Sequence, residues 1–202
     1  MKKDVKKERT LVVIKPDGIQ RGLIGRIINY YERTGLKLVG LKMMILNQEF
    51  IEKHYLLDPE WKRKVGEKAI NGYRQKGLEP PTQDPIVAGE KVLANLKKYM
   101  CSGPVIAMVW QGMNAINIIR KITGSTEPFS SDVGTIRGDL TIDSYEIADT
   151  DNRAMRNLIH ASGSLKEADE EIPLWFDSND LLNYRLVQEA ILYDVNLDGI
   201  WE

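Results

Sequence analysis

The first third of the chain has apolar patterns that predict a strand, a helix and a second strand. Leu11–Ile14 is a short apolar run that ends in the turn signal of residues 15–18, which is typical of a buried strand. Apolar residues then recur at helical spacing at Ile24, Ile27, Ile28 and Tyr31. Leu36–Leu46 is strand-like again.

Later segments continue this alternation. They predict a short helix around Phe50–Tyr55, a strand over Pro104–Trp110, a helix over Met113–Ile122 and a helix after Ser164. The last of these is signalled by the capping-box spacing of Ser164 and Glu167. Strands that alternate with helices over this length predict an α/β or α+β sandwich with helices on one face of the sheet.

Two polar stretches look like additions to a compact core. Glu60–Glu90 is rich in charge and contains Pro80, Pro81 and Pro85. Within it, Trp61, Val65, Ala69 and Tyr73 repeat every four residues. We therefore expect a surface helix followed by an irregular loop that contains the prolines. Tyr145–Asn152 is a shorter polar insertion.

Composition limits the class of protein further. The chain has 202 residues and a formal net charge of −1, so we predict a single domain over residues 1–202 that does not depend on neutralising nucleic-acid phosphates. The single cysteine, Cys101, excludes an internal disulfide, and with two histidines it cannot complete a Cys/His zinc site. No apolar stretch approaches the ~20 residues of a membrane span. We expect a soluble, cytoplasmic protein with no membrane partner.

Candidate phosphate-binding groups are side chains rather than glycine-rich loops. Neither G-x-x-x-x-G-K-[ST] nor G-x-G-x-x-G occurs, so side chains would have to supply the positive charge for a nucleotide. The candidates are Lys15, Arg120 with Thr126, Arg137 in the stretch Gly134–Asp139, and the stretch Arg156–His160. Each alone is more often solvated or structural than catalytic, and Arg137 could simply tie down a turn.

Together, and in this order, these motifs resemble the nucleoside diphosphate kinase family. The resembling stretches are Glu8–Ile28, Tyr99–Gly112, Gly134–Asp139, Arg156–Ser164 and Glu170–Phe176. The resemblance implies a ferredoxin-like βαββαβ fold, an α+β sandwich with helices packed on an antiparallel sheet. It also implies a ping-pong transfer of the γ-phosphate from a nucleoside triphosphate such as ATP to a nucleoside diphosphate.

The resemblance assigns the chemistry to a phosphorylated histidine. His160 stands in the family's N-x-x-H-x-S context and would be the nucleophile, because a neutral imidazole nitrogen is nucleophilic at pH 7. Glu171 would orient the other ring nitrogen, and Ser162 would support that glutamate. The groups implied around the transferred phosphoryl group are Lys15, Tyr55, Arg120, Thr126 and Arg137.

Nucleotide contacts, a cofactor and an assembly are implied as well. Lys15 and Asn157 would reach the ribose hydroxyls, His54 would contact the α-phosphate, and Leu96 would lie against the base. Mg²⁺ would be carried mainly by the β and γ phosphates, so no protein metal site is expected. Pro128 matches a loop that family members place at a threefold contact, which implies a homo-oligomer, either a hexamer or a tetramer built from dimers.

Three positions depart from the family pattern. Ala161 replaces the glycine that usually follows the nucleophile, and Gly163 replaces an aspartate. Val92 stands where the family has a phenylalanine that stacks on the base, an interaction that contributes ~1–3 kcal/mol in single-stranded nucleic-acid complexes. We hypothesise that Tyr73 or Trp61 of the long insertion reaches the nucleotide cleft instead.

Two other functions stay open at this point. A catalytically impaired relative would bind nucleotides as a sensor or an interaction module. An RNA-binding domain would share the ferredoxin-like sheet but would carry aromatic and basic residues on its central strands, which here are aliphatic. We therefore expect no sequence-specific nucleic-acid partner. His54 and Tyr55 could also simply end a helix.

Overall fold

Four strands form one antiparallel sheet in the computed structural model, which describes residues 5–195. They are β1 (Glu8–Ile14), β2 (Lys37–Met44), β3 (Val105–Gly112) and β4 (Ile159–Ala161). Their order in the sheet is β2-β3-β1-β4. β1 pairs with β3 along its whole length, whereas the short β4 pairs only with the end of β1. The α+β class predicted from the sequence is confirmed.

Helices connect the strands and cover the sheet. In the described part of the chain they are α1 (Pro16–Gln20), α2 (Ile24–Glu32), α3 (Gln48–Tyr55), α4 (Trp61–Gln75), α5 (Pro85–Met100), α6 (Ala115–Thr123), α7 (Ile136–Leu140), α8 (Tyr145–Thr150), α9 (Leu165–Trp175) and α10 (Glu189–Leu192). Within residues 5–195, no helix combines the length and the hydropathy needed to span a membrane.

β1 is buried on both of its faces. Leu11 and Val13 belong to a core formed with α3, α5 and α9, whereas Val12 and Ile14 belong to a second core formed with α2 and α6. All four side chains are 0% exposed. The expectation that helices cover only one face of the sheet is therefore wrong. An unbroken apolar run, without polar alternation, is the pattern of a strand covered on both sides.

One element boundary also differs from its prediction. α4 is the expected surface helix, but residues 85–90, which were expected in an irregular loop, form the first turns of α5. Pro85 occupies the start of the helix, where its missing N–H is not needed. The Asp84 side chain caps this end by accepting a hydrogen bond from the Ile86 N–H at 2.8 Å.

Candidate active site

His160 is the central residue of β4, and the strand register fixes the direction of its side chain. His160 pairs with Val13 of β1, and paired residues point to the same face of a sheet. Val13 packs in the core that contains α9. His160 and Ser162, two residues further on, therefore face α9, whose first turn is capped by Ser164 as the sequence predicts.

Glu171 of α9 contacts both of these side chains. Nε2 of His160 lies 2.9 Å from Oε1 of Glu171, and the Ser162 hydroxyl donates to Oε2 at 2.5 Å. Burial on its own would raise the pKa of Glu171. The charge and hydrogen bond of His160, followed by His54 and Ser162, together outweigh burial and lower this pKa to about 2. Because an ionised carboxylate can only accept, Nε2 must carry the proton. Nδ1 then keeps its lone pair, and no hydrogen bond within the described residues engages it.

His54 is buried next to His160 and Glu171. It is 4% exposed, and its ring is perpendicular to that of His160 with the centroids 4.6 Å apart. Nδ1 of His54 accepts a hydrogen bond from Nε1 of Trp175 at 3.2 Å, and its Nε2 lies 3.8 Å from Oε1 of Glu171. Burial, with a smaller effect of His160, lowers the pKa of His54 to about 3.

This geometry does not match the expected contact between His54 and an α-phosphate. A buried, neutral ring offers no positive charge to a phosphate, and both of its nitrogens already face protein groups. His54 instead adds a second N–H directed at the carboxylate of Glu171. We therefore treat it as a positioning residue.

A strained turn immediately precedes β4. Leu158 has a φ of 66°, which non-glycine residues rarely adopt, and the Ile159 N–H donates to the Asn157 carbonyl at 2.7 Å, as in a γ-turn. The Leu158 N–H donates to the Asp17 carboxylate at 3.2 Å, and its carbonyl accepts from the Lys15 N–H at 2.8 Å. The loop after β1 thus holds the turn that carries the nucleophile.

Arg137 clamps the same turn from the other side. Its Nε donates to the carbonyl of Asn157 at 3.0 Å and its Nη2 to that of Ile159 at 2.6 Å. Its Nη1 donates to the carbonyls of Gly124 and Ser125 at 3.1 and 2.8 Å. Arg137 therefore ties down a turn, which is the alternative that the sequence left open. These four hydrogen bonds use four of the five N–H groups of the guanidinium and leave one for a ligand. Burial lowers the pKa of Arg137 to about 10, so it stays charged at neutral pH.

Lys15 is buried beside this turn. It is 5% exposed, and its Nζ donates to Oδ1 of Asn157 at 2.7 Å and lies 5.4 Å from the centre of the Tyr99 ring. Burial, followed by the charge of Arg137, lowers the pKa of Lys15 to about 7, and Asp17 partly opposes them. Lys15 therefore exchanges a proton near neutral pH, and an anion placed next to it would favour the charged form.

The structure places three further predicted residues, Tyr55, Arg120 and Thr126, near the residues described above. Tyr55 interacts electrostatically with Glu171 and Arg137, and burial raises its pKa. Arg120 is exposed near the end of α6. Burial has the largest effect on the pKa of Arg137 and lowers it, and the charge of Arg120 also lowers this pKa, so the two side chains lie near each other. The carbonyl of Thr126 accepts a hydrogen bond from Nδ2 of Asn157 at 2.8 Å. Leu96 lies half-buried on α5.

The aromatic residues of the long insertion lie in different places. Trp61 begins α4, and its ring centroid is 4.9 Å from that of Tyr55, so it contacts a residue of the candidate site. Tyr73 lies near the end of α4, where burial and then the charge of Asp149 raise its pKa. Tyr73 thus faces the second polar insertion.

Two residues of the site escaped the sequence analysis. Trp175, which donates to His54, follows Glu171 by four residues on α9, so the two share a helix face. That spacing was the available signal. Asp17 looked like an ordinary turn residue, but it is 8% exposed and its Oδ2 accepts from the Leu158 N–H.

The two departures next to the nucleophile leave its geometry intact. Ala161 pairs with Val12 in β4 and is not among the described residues with positive φ, so the position does not need glycine. At Gly163, the N–H donates to the Glu167 carboxylate at 2.8 Å, so the first turn of α9 holds this loop.

One cluster in the described residues has the ligand types of a metal site. His54, His160 and Glu171 each place a ligand atom within 4.8 Å of the others. Two nitrogens and a carboxylate that already accepts two hydrogen bonds do not fit Mg²⁺, which prefers oxygen ligands and keeps several waters. The cluster is better explained as the support of the nucleophile.

Fold and site together define a class: an α+β protein with a histidine that is held by a buried carboxylate and lies near the buried cations Lys15 and Arg137. A model of the family described as "Nucleoside diphosphate kinase" matches residues 8–65 and 86–181. The chain therefore belongs to the nucleoside diphosphate kinase family.

Individual relatives agree with the family match. A nucleoside diphosphate kinase of Pyrobaculum aerophilum is 44% identical over 179 residues, which cover 87% of this chain and 98% of that protein. Nucleoside diphosphate kinase A of Homo sapiens is 37% identical over 187 residues, or 93% of this chain and 97% of that one.

Two solved structures of nucleoside diphosphate kinases are similar to the structure of this chain. The crystal structure of an NDP kinase from Pyrobaculum aerophilum has a TM-score of 0.84 at 42% identity and covers 88% of this chain and all of its own. The Borrelia burgdorferi enzyme, described as a transition-state mimic with bound vanadate and ADP, has a TM-score of 0.76 at 34% identity and covers 93% of this chain and 98% of that one. The ferredoxin-like fold expected from the sequence is confirmed.

Proposed function

We propose that this protein is a nucleoside diphosphate kinase that transfers the γ-phosphate of a nucleoside triphosphate to a nucleoside diphosphate through a phosphohistidine on His160. The observation that carries the proposal is the contact of 2.9 Å between Nε2 of His160 and Glu171, which leaves Nδ1 as the nucleophilic atom. The names of the relatives, and the vanadate and ADP complex of one of them, support phosphoryl transfer.

In the first half-reaction, the lone pair of Nδ1 forms the bond to the γ-phosphorus. The bond from that phosphorus to the bridging oxygen breaks, and the diphosphate leaves with this oxygen. The ring gains positive charge, which the carboxylate of Glu171 stabilises through the Nε2 hydrogen bond. In the second half-reaction, a terminal oxygen of another diphosphate attacks the phosphorus, the N–P bond breaks, and neutral His160 returns.

Donors around His160 stabilise the charge on the phosphoryl oxygens in both directions. We assign this role to Lys15, Tyr55, Arg120, Thr126 and the remaining N–H of Arg137. Lys15 and Asn157 also serve the ribose hydroxyls, and Leu96 lies on the side of the base. His54 and Ser162 keep Glu171 ionised and oriented.

Mg²⁺ enters as part of the nucleotide substrate. Both carboxylate oxygens of Glu171 already face hydrogen-bond donors, so the β and γ phosphates and water are the ligands we assign to the ion. When bound, it neutralises charge on the phosphates.

Labelling with γ-labelled ATP tests the proposal. We expect acid-labile, alkali-stable label on the intact protein, its complete loss in His160→Ala and slower labelling in His54→Ala, which alters the chain's other histidine but keeps the nucleophile. An intact protein that binds ATP but takes up no label would contradict the kinase proposal and favour the alternative of a nucleotide-binding sensor. The undisturbed geometry at Ala161 argues against that alternative.

The RNA-binding alternative has no support in the described sheet. Helices cover both faces of β1, and the side chains of β3 are buried throughout. The large hydrophobic side chains that the strands do expose, Leu41 and Met43 of the edge strand β2, are aliphatic and not the aromatic residues on which RNA bases stack.

Assembly into a homo-oligomer, a hexamer or tetramer built from dimers, is part of the proposal. The edge strand β2 exposes Leu41 and Met43 by 50% and 57%, and the loop that contains Pro128 exposes Phe129 by 80%. Apolar edges of this kind are commonly covered in an assembly. Measurement of the mass in solution tests this part.

The two insertions and the location complete the proposal. The family match skips residues 66–85, which supports an addition within Glu60–Glu90, whereas Tyr145–Asn152 lies inside the matched range. A cytoplasmic location rests on the cysteine content, since a single cysteine suits a reducing compartment.

A further inference from the structure

The side chain of Asp17 binds outside the helix to which it belongs. Asp17 lies in the first turn of α1, where acidic side chains commonly stabilise the start of a helix. Its Oδ2 instead accepts a hydrogen bond from the N–H of Leu158 at 3.2 Å, 141 residues further along the chain. Asp17 is also almost completely buried. Its carboxylate therefore belongs to the turn that precedes β4.

This turn holds Leu158 in a conformation that leucine rarely adopts. A φ of 66° is unfavourable for a residue with a Cβ and persists only where the surroundings fix it. Asp17 binds the N–H of Leu158, and the N–H of Lys15 binds its carbonyl at 2.8 Å. His160 follows two residues later. Asp17 thus fixes one of the two hydrogen-bonding groups of the residue that leads the chain into the nucleophile.

The hydrogen bond to Leu158 does not by itself require a negative charge. The side chain of asparagine also offers an oxygen that accepts, and a buried amide costs less free energy than a buried carboxylate. Oδ1 of Asp17 is buried as well and has no hydrogen-bond partner among the described residues. The charge of Asp17 therefore needs a reason beyond this hydrogen bond.

Two buried cations next to the turn supply that reason. Nζ of Lys15 donates to the amide oxygen of Asn157, and the guanidinium of Arg137 donates to four carbonyl oxygens. Within residues 5–195, neither cation forms an ion pair with a carboxylate. Burial, followed by the charge of Arg137, lowers the pKa of Lys15 to about 7, and the charge of Asp17 opposes both effects.

The other titratable groups around Lys15 do not supply a negative charge. From α5, the ring of Tyr99 lies 5.4 Å from Nζ of Lys15, and burial, followed by the charge of Asp17, raises the pKa of its phenol, which stays neutral. From α3, His54 is neutral because burial lowers its pKa to about 3. Arg137 of α7 is a cation. Among the groups that affect the pKa of Lys15, Asp17 is the one that raises it.

We propose that Asp17 is a positioning residue for phosphoryl transfer, which holds the turn at Leu158 through Oδ2 and keeps Lys15 protonated for contact with the phosphates through its negative charge. The inference rests on the proposed function, because that function assigns Lys15 to the phosphoryl oxygens. Asp17 acts through Leu158 and Lys15 and not on the nucleotide itself. The two roles are separable, since an amide can replace the hydrogen bond but not the charge.

Binding of inorganic tripolyphosphate from pH 6 to pH 9 tests the role of the charge. Asp17→Asn removes the effect that raises the pKa of Lys15, so Lys15 should lose its proton at a lower pH than in the natural protein. We expect the affinity of Asp17→Asn to be about tenfold lower than that of the natural protein at pH 8 and within about twofold of it at pH 6. Lys15→Met has no ammonium group and shows the pH dependence that belongs to the ligand.

Single-turnover labelling of His160 at pH 6 and saturating ATP tests the role of the hydrogen bond. Asp17→Ala removes the acceptor of the Leu158 N–H, which should let the turn relax and displace His160. We expect this variant to label about 10–10²-fold more slowly than Asp17→Asn, which keeps an acceptor. If Asp17→Ala does not fold, Asp17→Leu removes the acceptor and retains more of the volume. The pH dependence of Asp17→Asn decides the role of the charge in either case.

Asp84→Asn is the matched control. The carboxylate of Asp84 also accepts a main-chain N–H near the start of a helix, that of Ile86 at 2.8 Å, but it is exposed. This variant should behave like the natural protein in both measurements.

Three results would overturn the assignment of Asp17. The role of the charge is refuted if the affinity of Asp17→Asn follows that of the natural protein over the whole pH range, or if it is lower by the same factor at pH 6 and pH 8. Equal labelling rates in Asp17→Asn and in the variant without an acceptor would refute the role of the hydrogen bond. A natural protein that takes up no label would refute the kinase proposal, while the binding of tripolyphosphate would still decide whether Asp17 keeps Lys15 charged.

Discussion

His160 and His54 direct their Nε2 atoms at the same carboxylate oxygen, Oε1 of Glu171, at distances of 2.9 and 3.8 Å. The burial that would favour a neutral glutamate is thereby offset, and its pKa falls to about 2. The carboxylate is then ionised at neutral pH. One buried charge fixes which nitrogen of the nucleophile is protonated.

Glu171→Gln should therefore slow phosphorylation of His160 more than it weakens nucleotide binding. An amide cannot stabilise the positive charge on the ring, so we expect the single-turnover rate of labelling to fall by about 10²–10⁴-fold. Glu170→Gln changes the neighbouring acid, which contacts only Lys166 at 3.9 Å among the ion pairs of the described chain, and should label normally. A labelling rate within a few-fold of normal in Glu171→Gln would show that its charge is not required.

Trp175→Phe should destabilise the protein more than Trp110→Phe does. Both indoles are almost completely buried, but Nε1 of Trp175 donates to His54 whereas Nε1 of Trp110 has no partner among the described residues. Both substitutions remove similar volume, but only the first leaves Nδ1 of His54 unpaired, which costs roughly 1–3 kcal/mol. Chemical denaturation of the two variants measures the difference. Equal losses of unfolding free energy would mean that the bond between Trp175 and His54 contributes nothing.

The sequence predicts the residues of this site better than it predicts their arrangement. The run Leu11–Ile14 predicts β1, because it is rich in β-branched residues and is closed by the turn signal of Pro16 and Gly18. The position of His54 was not predictable in the same way. The residues around His54 in the sequence do not show that its ring is buried and accepts a hydrogen bond from Trp175, which is 121 residues away.

The insertions illustrate the same limit. Spacing of four residues predicted α4, but the contact between Lys76 and Asp149 depends on how two distant segments pack. A pattern with a period reports local structure, whereas long-range packing leaves no period in the sequence.

Replacement of Lys15 should raise stability while it lowers nucleotide affinity. The pKa of Lys15 is about 7 in the folded protein and ~10.4 in an unfolded chain, so below pH 7 the folded state must bury a charge. Between these values the unfolded state binds more protons, and the stability of the natural protein rises with pH. Lys15→Met avoids this cost, so we expect a gain of about 1–4 kcal/mol at pH 6 that disappears towards pH 10.

Thermal or urea unfolding over this pH range measures the gain. Lys98→Met, an exposed lysine of α5, should show no such pH-dependent difference. A Lys15→Met variant that is less stable than the natural protein at pH 6 would mean that the hydrogen bond to Asn157 outweighs the cost of burial.

Gly66→Ala should destabilise α4 against α5, while Gly72→Ala in the same helix should stabilise the protein. A Cβ on Gly66 would overlap the carbonyl oxygen of Pro85, whereas a Cβ on Gly72 would meet no atom within 4 Å. Both changes favour the helical backbone by about 0.5–1 kcal/mol, but the first forces two helices apart, which typically costs 1–3 kcal/mol.

Urea unfolding of the two variants provides the comparison, because the substitution and the helix are the same in both. Two variants with the same gain in stability would show that α4 does not pack closely on α5.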